Sequence, residues 1–226
     1  MQIEPQDIND PQYRQWNSIY AGSDYYYGAD PGPVARRAVR YHRPLCPQGG
    51  SALDIGCGEG QDLAFLAGCG YHASGLDFTE HGVQKALRLL DARNLQAAVL
   101  RTDLRNYEPT RPFDLVLAVN SLQFLGEDAG ACLDRVIQTV APGGVLGLSL
   151  FAREEHEDEL RQGIFFTTLP SLLARFDHQS PNREWQMLET AQLWQWSRSS
   201  NQPQPFITLI AQRLAEPISI SVSGTS

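Results

Sequence analysis

The sequence predicts an α/β protein: a doubly wound, mostly parallel seven-stranded sheet with helices on both faces and an antiparallel C-terminal hairpin. Three observations predict it. Between residues 51 and 151, short apolar runs alternate with helically spaced apolar residues, the pattern of repeated βαβ units. A turn with three alternating glycines follows the first of these strands, at the kind of strand end where such sheets bind ligands. Near the C-terminus two strand-like runs follow one another without an intervening helix, which requires antiparallel pairing.

The elements follow in order. Ser51 to Ile55 reads as a strand, and Leu63, Leu66 and Ala67 mark a helix that Gly68 and Gly70 stop. His72 to Leu76 is a second strand, followed by a helix with Val83, Ala86, Leu87 and Leu90 on one face. Ala97 to Leu100 gives a third strand, and the apolar run Phe113 to Val119 a fourth, covered on both faces. Glu127 and Asp128 suit a helix N-terminus, ahead of the stripe Cys132, Leu133, Val136, Ile137 and Val140. Pro142-Gly143-Gly144 is a turn before a fifth strand, Val145 to Phe151. Glu154 to Leu160 reads as a solvated helix or loop, and Pro170 opens a helix carrying Leu172, Leu173 and Phe176. Trp185 to Trp196 and Phe206 to Leu214 form the hairpin, joined by the loop Ser197 to Pro205. The organisation expected is a helical N-terminal segment over 1–45 that can act as a lid, a main domain over 46–214, and a frayed tail over 215–226.

With 226 residues one core is expected, and no apolar run of membrane-spanning length occurs. The N-terminus lacks the basic-then-apolar pattern of a secretory signal, so cytoplasmic residence is expected. Cys46, Cys57, Cys69 and Cys132 make no C-x-x-C pair, so reduced thiols and no metal site are expected. The net charge of −8 argues against nucleic acid. The densest basic group, Arg36-Arg37 with Arg40 and Arg43, reads as a solvated helix face.

The chemistry lies in Asp54-Ile55-Gly56-Cys57-Gly58-Glu59-Gly60. Its glycines let backbone N–H groups approach a ligand closely. Gln61 stands where the dinucleotide fingerprint needs its third glycine, and an acid leads the motif. A cationic, phosphate-free nucleoside fits this turn better than a pyrophosphate.

This motif resembles the first motif of the class I S-adenosylmethionine-dependent methyltransferases. The resemblance implies the Rossmann-like methyltransferase fold and S-adenosyl-L-methionine as cofactor, with S-adenosyl-L-homocysteine as product. It places Asp54, Gly56, Cys57, Gly58 and Gly60 around the methionine part, Asp77 on the ribose hydroxyls and Phe78 against the adenine. It also places Asp103 and Leu104 near the adenine amino group and Asn120, at the head of Asn120 to Leu125, at the cofactor edge. Tyr27-Gly28, Asn120 to Leu125, and Phe165-Phe166 with Leu169 to Phe176 resemble the tellurite-resistance type of small-molecule methyltransferase.

The implied activity is methyl transfer to a small-molecule acceptor, such as a thiol or chalcogen nucleophile, by direct in-line displacement. A soft nucleophile needs no strong base, and no residue stands out as one; for an oxygen nucleophile the candidates are His42, His156 and His178. Tyr25, Tyr26 and Tyr27 read either as a substrate lid or as packing of the N-terminal segment. The competing functions are a nicotinamide-dependent oxidoreductase, against which Gln61 counts, and a non-catalytic S-adenosylmethionine-binding protein. The methyl-accepting atom and the oligomeric state are not legible in the sequence.

Overall fold

The structure is a computed structural model that describes residues 9–154, 156–176, 182–197 and 201–219. The chain begins with α1 (Pro11–Tyr20) and α2 (Pro33–His42), each opening on a proline whose missing N–H costs nothing at that position. The Asp10 side chain caps α1 by accepting from Gln12 N at 2.7 Å. There follow β1 (Gly50–Ile55), α3 (Gln61–Gly68), β2 (Tyr71–Asp77), α4 (Glu80–Ala92), β3 (Ala98–Arg101), β4 (Phe113–Val119), α5 (Ala129–Gln138) and β5 (Val140–Phe151). A small hairpin, β6 (Leu160–Arg161) and β7 (Ile164–Phe165), precedes α6 (Leu169–Ala174) and the long hairpin of β8 (Asn182–Ser197) and β9 (Gln202–Ser219).

The seven-stranded sheet has the order β3-β2-β1-β4-β5-β9-β8, with β1 to β5 parallel and β9 antiparallel to both neighbours. Strand alternation divides the core into two layers. Leu53, Ile55, Val116, Ala118, Leu146 and Leu148 face one side, where they meet Leu133, Val136 and Ile137 of α5. Ala52, Leu115, Leu117 and Val145 face the other, against Val34, Ala35 and Ala38 of α2 and Leu63 and Leu66 of α3. Residues 33–42 of the N-terminal segment thus supply one of the layer helices. The order reverses at β1, and the crevice for a ligand opens at the C-terminal ends of β1 and β4.

Three segments differ from expectation. Pro142-Gly143-Gly144 does not precede β5 but lies within it, as a register shift opposite Phe113/Leu115; Gly143 accommodates the jog at φ 85°. β9 continues through residues 215–219, expected to fray, because Arg183 and Asn182 of β8 pair with Ile218 and Ser219. At the other end Gln202 to Pro205 pair with Ser197 to Trp194, which shortens the expected loop. The acidic stretch after Glu154 makes turns, and Glu157 pairs with Arg161 at 3.2 Å. Among the described residues no helix is long and apolar enough to cross a membrane.

Gly60 shows how tightly α3 and α4 meet. It sits at φ 88° before α3, and a Cβ there would lie 2.7 Å from both Cα and Cβ of Ala86 in α4. Gly60→Ala should therefore lower stability by about 2–4 kcal/mol, combining left-handed backbone strain with overpacking. Urea denaturation would show this as a lower midpoint at constant slope, and an unchanged midpoint would refute the close packing.

Candidate active site

A cavity of about 280 Å³ opens at the C-terminal ends of β1, β2 and β4 and is roofed by α1. The β1–α3 turn forms its floor. Gly56 adopts φ 70°, and a Cβ there would lie 2.2 Å from Cβ of Ser121. The turn and the segment after β4 are therefore in contact, and Ser121 Oγ closes the junction by donating to the Ile55 carbonyl at 2.8 Å. Asn120 beside it holds a left-handed φ of 54°, rare outside glycine. Its N–H donates to Ser149 O at 3.0 Å, and its Oδ1 accepts from Ser149 Oγ at 2.7 Å, which fixes the strained residue at the cavity edge.

The buried acids around this turn have different roles. Asp77 Oδ2 accepts from Gly58 N at 2.9 Å, while Oδ1 accepts from the backbone N–H and hydroxyl of Thr79. Thr79 in turn caps α4. These bonds occupy most of the carboxylate's acceptor positions, so Asp77 is first a tie between β2 and the glycine turn, with one lone-pair direction left for a ligand. Burial nonetheless raises its pKa above the usual carboxylate range, against the lowering by Thr79 and Gly58.

Asp54 is less well satisfied. It is buried, its Oδ2 has no hydrogen-bond partner, and it lines the cavity. Burial raises its pKa well above the ordinary range; the nearby Asp62 and Asp77 push it the same way, opposed by a backbone hydrogen bond from Leu63. Asp62 also lines the cavity and accepts from Gly32 N at 2.6 Å. Asp103, expected to be free for a ligand amino group, is engaged instead by Arg105. The guanidinium binds both carboxylate oxygens at 2.6–3.0 Å and also reaches Asp10 at 2.6 Å. Asp103 additionally accepts from Arg105 N, capping the 3-10 turn Leu104–Asn106, so its acceptor positions are filled locally.

Most of the other sequence-derived residues converge. Gly56, Cys57, Gly58, Phe78, Leu104 and Asn120 line the cavity with these acids, whereas Gly60 packs against α4. Of the three tyrosines only Tyr27 lines it. Tyr25 packs over Lys85, with the ammonium 5.5 Å from its ring centre and its hydroxyl on Lys85 O. Tyr26 N donates to Glu59 Oε2 at 2.6 Å. Glu59, a motif residue to which the sequence assigned no role, is fully buried and pairs with Lys85 at 2.7 Å, and Lys85 also donates to Asp24 O. One buried ion pair thus fastens residues 24–27 to the glycine turn.

His42 is buried against Tyr71, with Nδ1 2.8 Å from the phenol oxygen, and burial lowers its pKa. His156 is exposed, neither histidine lines the cavity, and His178 lies outside the described residues. The basic cluster on α2 disperses to separate partners: Arg36 to Pro31 O, Arg37 to Glu189 and Arg43 to Cys69 O. All four cysteines are free thiols.

Sequence reasoning missed the roof, Trp16 and Tyr20 of α1, whereas Ser121, Phe124 and Leu125 of the expected edge segment Asn120 to Leu125 do line the cavity. The buried positions Tyr13, Trp16 and Tyr20 repeat at helical spacing, a signal available in the sequence.

Residues 52–144 match the methyltransferase domain family. The chain is 29% identical over 128 residues to trans-aconitate 2-methyltransferase of Azoarcus sp. (strain BH72), an alignment covering 56% of this chain and 48% of that protein. The chain spans about half the length of the curated relatives it matches. Among solved structures it is similar to TehB from Haemophilus influenzae, with a TM-score of 0.67 and 14% identity over 89% of this chain and 67% of that one. It is also similar to the Burkholderia thailandensis 1,6-didemethyltoxoflavin-N1-methyltransferase, with a TM-score of 0.66 and 16% identity over 95% and 92%. Residues 52–144 thus match a methyltransferase domain, and the fold is that of the class I S-adenosylmethionine-dependent methyltransferases.

The Glu59–Lys85 pair makes a separable prediction. Glu59→Ala leaves a buried ammonium without its counter-charge and should cost about 3–5 kcal/mol. Hydrogen exchange in the folded variant should show the Tyr26 amide losing protection while the amides of β4 keep theirs. Equal loss across both would mean that the pair supports the whole domain and not the 24–27 segment.

Proposed function

We propose that the protein binds S-adenosyl-L-methionine in this cavity and transfers its methyl group to a small-molecule acceptor. The observation that carries the reading is the unpartnered Oδ2 of Asp54, buried beside Asp62 and Asp77 at a glycine turn. Such a cluster is costly until a cation arrives, and the cofactor brings an ammonium and a sulfonium. In this reading Asp54, with Gly56, Cys57, Gly58 and Gln61, holds the methionine part. Asp77 offers its remaining lone pair to the ribose, Phe78 and Leu104 border the adenine, and Asn120 stands at the cofactor edge. Since the Asp103 oxygens are filled by Arg105, its part is to shape the wall.

The cofactor supplies an activated methyl group, and in-line displacement at that carbon is the reaction proposed. The protein's share is to hold the acceptor in line and keep out water. A soft acceptor such as a thiol needs no dedicated base, in keeping with a cavity that no histidine among the described residues lines. Residues 24–27 are proposed as a movable wall, because their anchor Glu59 belongs to the turn that would hold the cofactor.

Calorimetric titration should show saturable binding of S-adenosylmethionine and S-adenosylhomocysteine and none of NAD. NAD binding without response to S-adenosylhomocysteine would overturn the reading.

The pH dependence follows from Asp54. Its raised pKa means that the free protein retains a proton above the ordinary aspartate value of about 3.9, and a cation favours the ionised form. Affinity for S-adenosylmethionine should therefore rise with pH from the ordinary aspartate range through the raised value, then level off, with proton release on binding. By the same linkage the ligand-free fold loses stability as pH rises through that window. Titration in buffers of different ionisation enthalpy measures the release, and Asp54→Asn should abolish most of it; undiminished release in Asp54→Asn would place the proton elsewhere.

A further inference from the structure

The sheet order leaves β8 at an edge. Among the described residues it pairs with β9 alone, so the N–H and C=O of every second residue point outward without a strand partner. We infer that residues 189–197 of β8 pair antiparallel with the same residues of a second copy of this chain, about a two-fold axis at Leu193. The inference stands on this edge and is independent of the methyl-transfer reading.

Folded proteins blunt such an edge with charge, proline or a bulge. β8 does so only in its first half. Glu184 and Glu189 lie there, paired with Arg213 and Arg37, and the register shifts between Met187 and Glu189. From Glu189 to Ser197 the register is unbroken, and residues 190–197 (Thr-Ala-Gln-Leu-Trp-Gln-Trp-Ser) carry no charge, proline or glycine. The neighbouring strand shows the contrast. Where β9 lies beyond its last pair with β5, Phe206 with Phe151, it carries Pro203 and Pro205, which have no N–H to donate. The unblunted stretch of β8 also holds two exposed indoles. Trp194 and Trp196 are 70% and 64% exposed, more than any other large apolar side chain among the described residues. As alternate residues they share one face of the strand with Thr190 and Gln192, which are exposed too.

The pattern of this stretch fits its own copy. Leu193 is its midpoint, and pairing about it sets Trp194 opposite Gln192, Trp196 opposite Thr190 and Gln195 opposite Ala191. Each indole then meets a smaller side chain, and the two Trp194 rings lie on a diagonal, within reach of one another. Close to a two-fold axis a charged residue would meet its own like charge. Here the nearest charge, Glu189, falls opposite Ser197 and is held by Arg37 of its own chain at 3.2 Å. At these exposures four indoles, each about 250 Å² when whole, remove about 650 Å² from water. That is about half of what the smaller stable interfaces bury, before the two strand edges are counted. A lipid surface would take the indoles but leave the edge N–H and C=O groups unpaired, whereas a second β8 satisfies both.

Analytical ultracentrifugation of the full chain should show a species of twice the chain mass at micromolar concentration. The double variant Trp194→Lys, Trp196→Lys places charges beside the axis and should sediment as a monomer with an unchanged far-ultraviolet spectrum. A short bismaleimide should join two copies of Leu193→Cys, the position that meets itself, well above the wild-type background, and should not so join Gln195→Cys. If the lysine variant does not fold, these two cysteine variants decide. A wild-type monomer across the micromolar range, a dimer that survives both lysines, or equal cross-linking at 193 and 195 overturns the inference. So does a monomer that floats with phosphatidylcholine vesicles, which would give the indoles to a lipid surface.

Discussion

The carboxylate of Asp77 is the constraint on which the site depends. It sits at the last residue of β2, accepts from the Gly58 N–H across the crevice and accepts twice from Thr79. The first bond sets the path of the glycine turn, and the others start α4 at the angle that brings Ala86 against Gly60. One side chain thereby positions the floor of the cavity and the helix behind it. The geometry brings three carboxylates together in a dry place, and the raised pKa values of Asp54, Asp62 and Asp77 record the cost. A site that is electrostatically unfavourable when empty is well matched to a cation.

The acids nonetheless differ in what they can do for a ligand. Asp103 is neutralised by a guanidinium that also holds Asp10 ahead of α1, so its charge joins the N-terminal segment to the domain. Glu59 makes a second such link through Lys85, with the Tyr26 N–H as the far end. Both attachments lead to the segment bearing Trp16, Tyr20 and Tyr27. The aromatic side of the cavity is therefore built on chain that two ion pairs hold against the glycine turn and the turn after β3, so the position of that side and the geometry of those turns are mechanically related.

Much of the parallel sheet was legible because its signal is local. Phe113 to Val119 is a near-continuous apolar run, broken by Asp114, that suits a strand covered on both faces, and the glycines from Gly56 to Gly60 mark the turn that follows β1. The C-terminal limit of β9 was not legible. Residues 215–219 (Ala-Glu-Pro-Ile-Ser) carry no strand pattern of their own, and they are ordered into a strand by pairing with the far end of β8, more than thirty residues earlier in the chain. Trp16 and Tyr20 carried a helical period, but no local rule says that a helix will fold across a crevice formed by residues 54 to 125.

The sequence by itself determined the fold class, the order of the parallel units and most of the strand-end residues brought to the crevice, since periodicity, glycine turns and strand-end acids act within a few residues of chain. Only the tertiary structure decided what those acids do. Asp54, Asp77 and Asp103 look equivalent as strand-end carboxylates, yet one keeps an oxygen without a partner, one ties a turn and one is saturated by arginine. The difference lies in which donors the fold delivers to each oxygen: Gly58 lies 19 residues from Asp77, and Asp10 and Arg105 are 95 residues apart. Hydrogen-bond saturation and desolvation are properties of the assembled neighbourhood, and no window of sequence contains them.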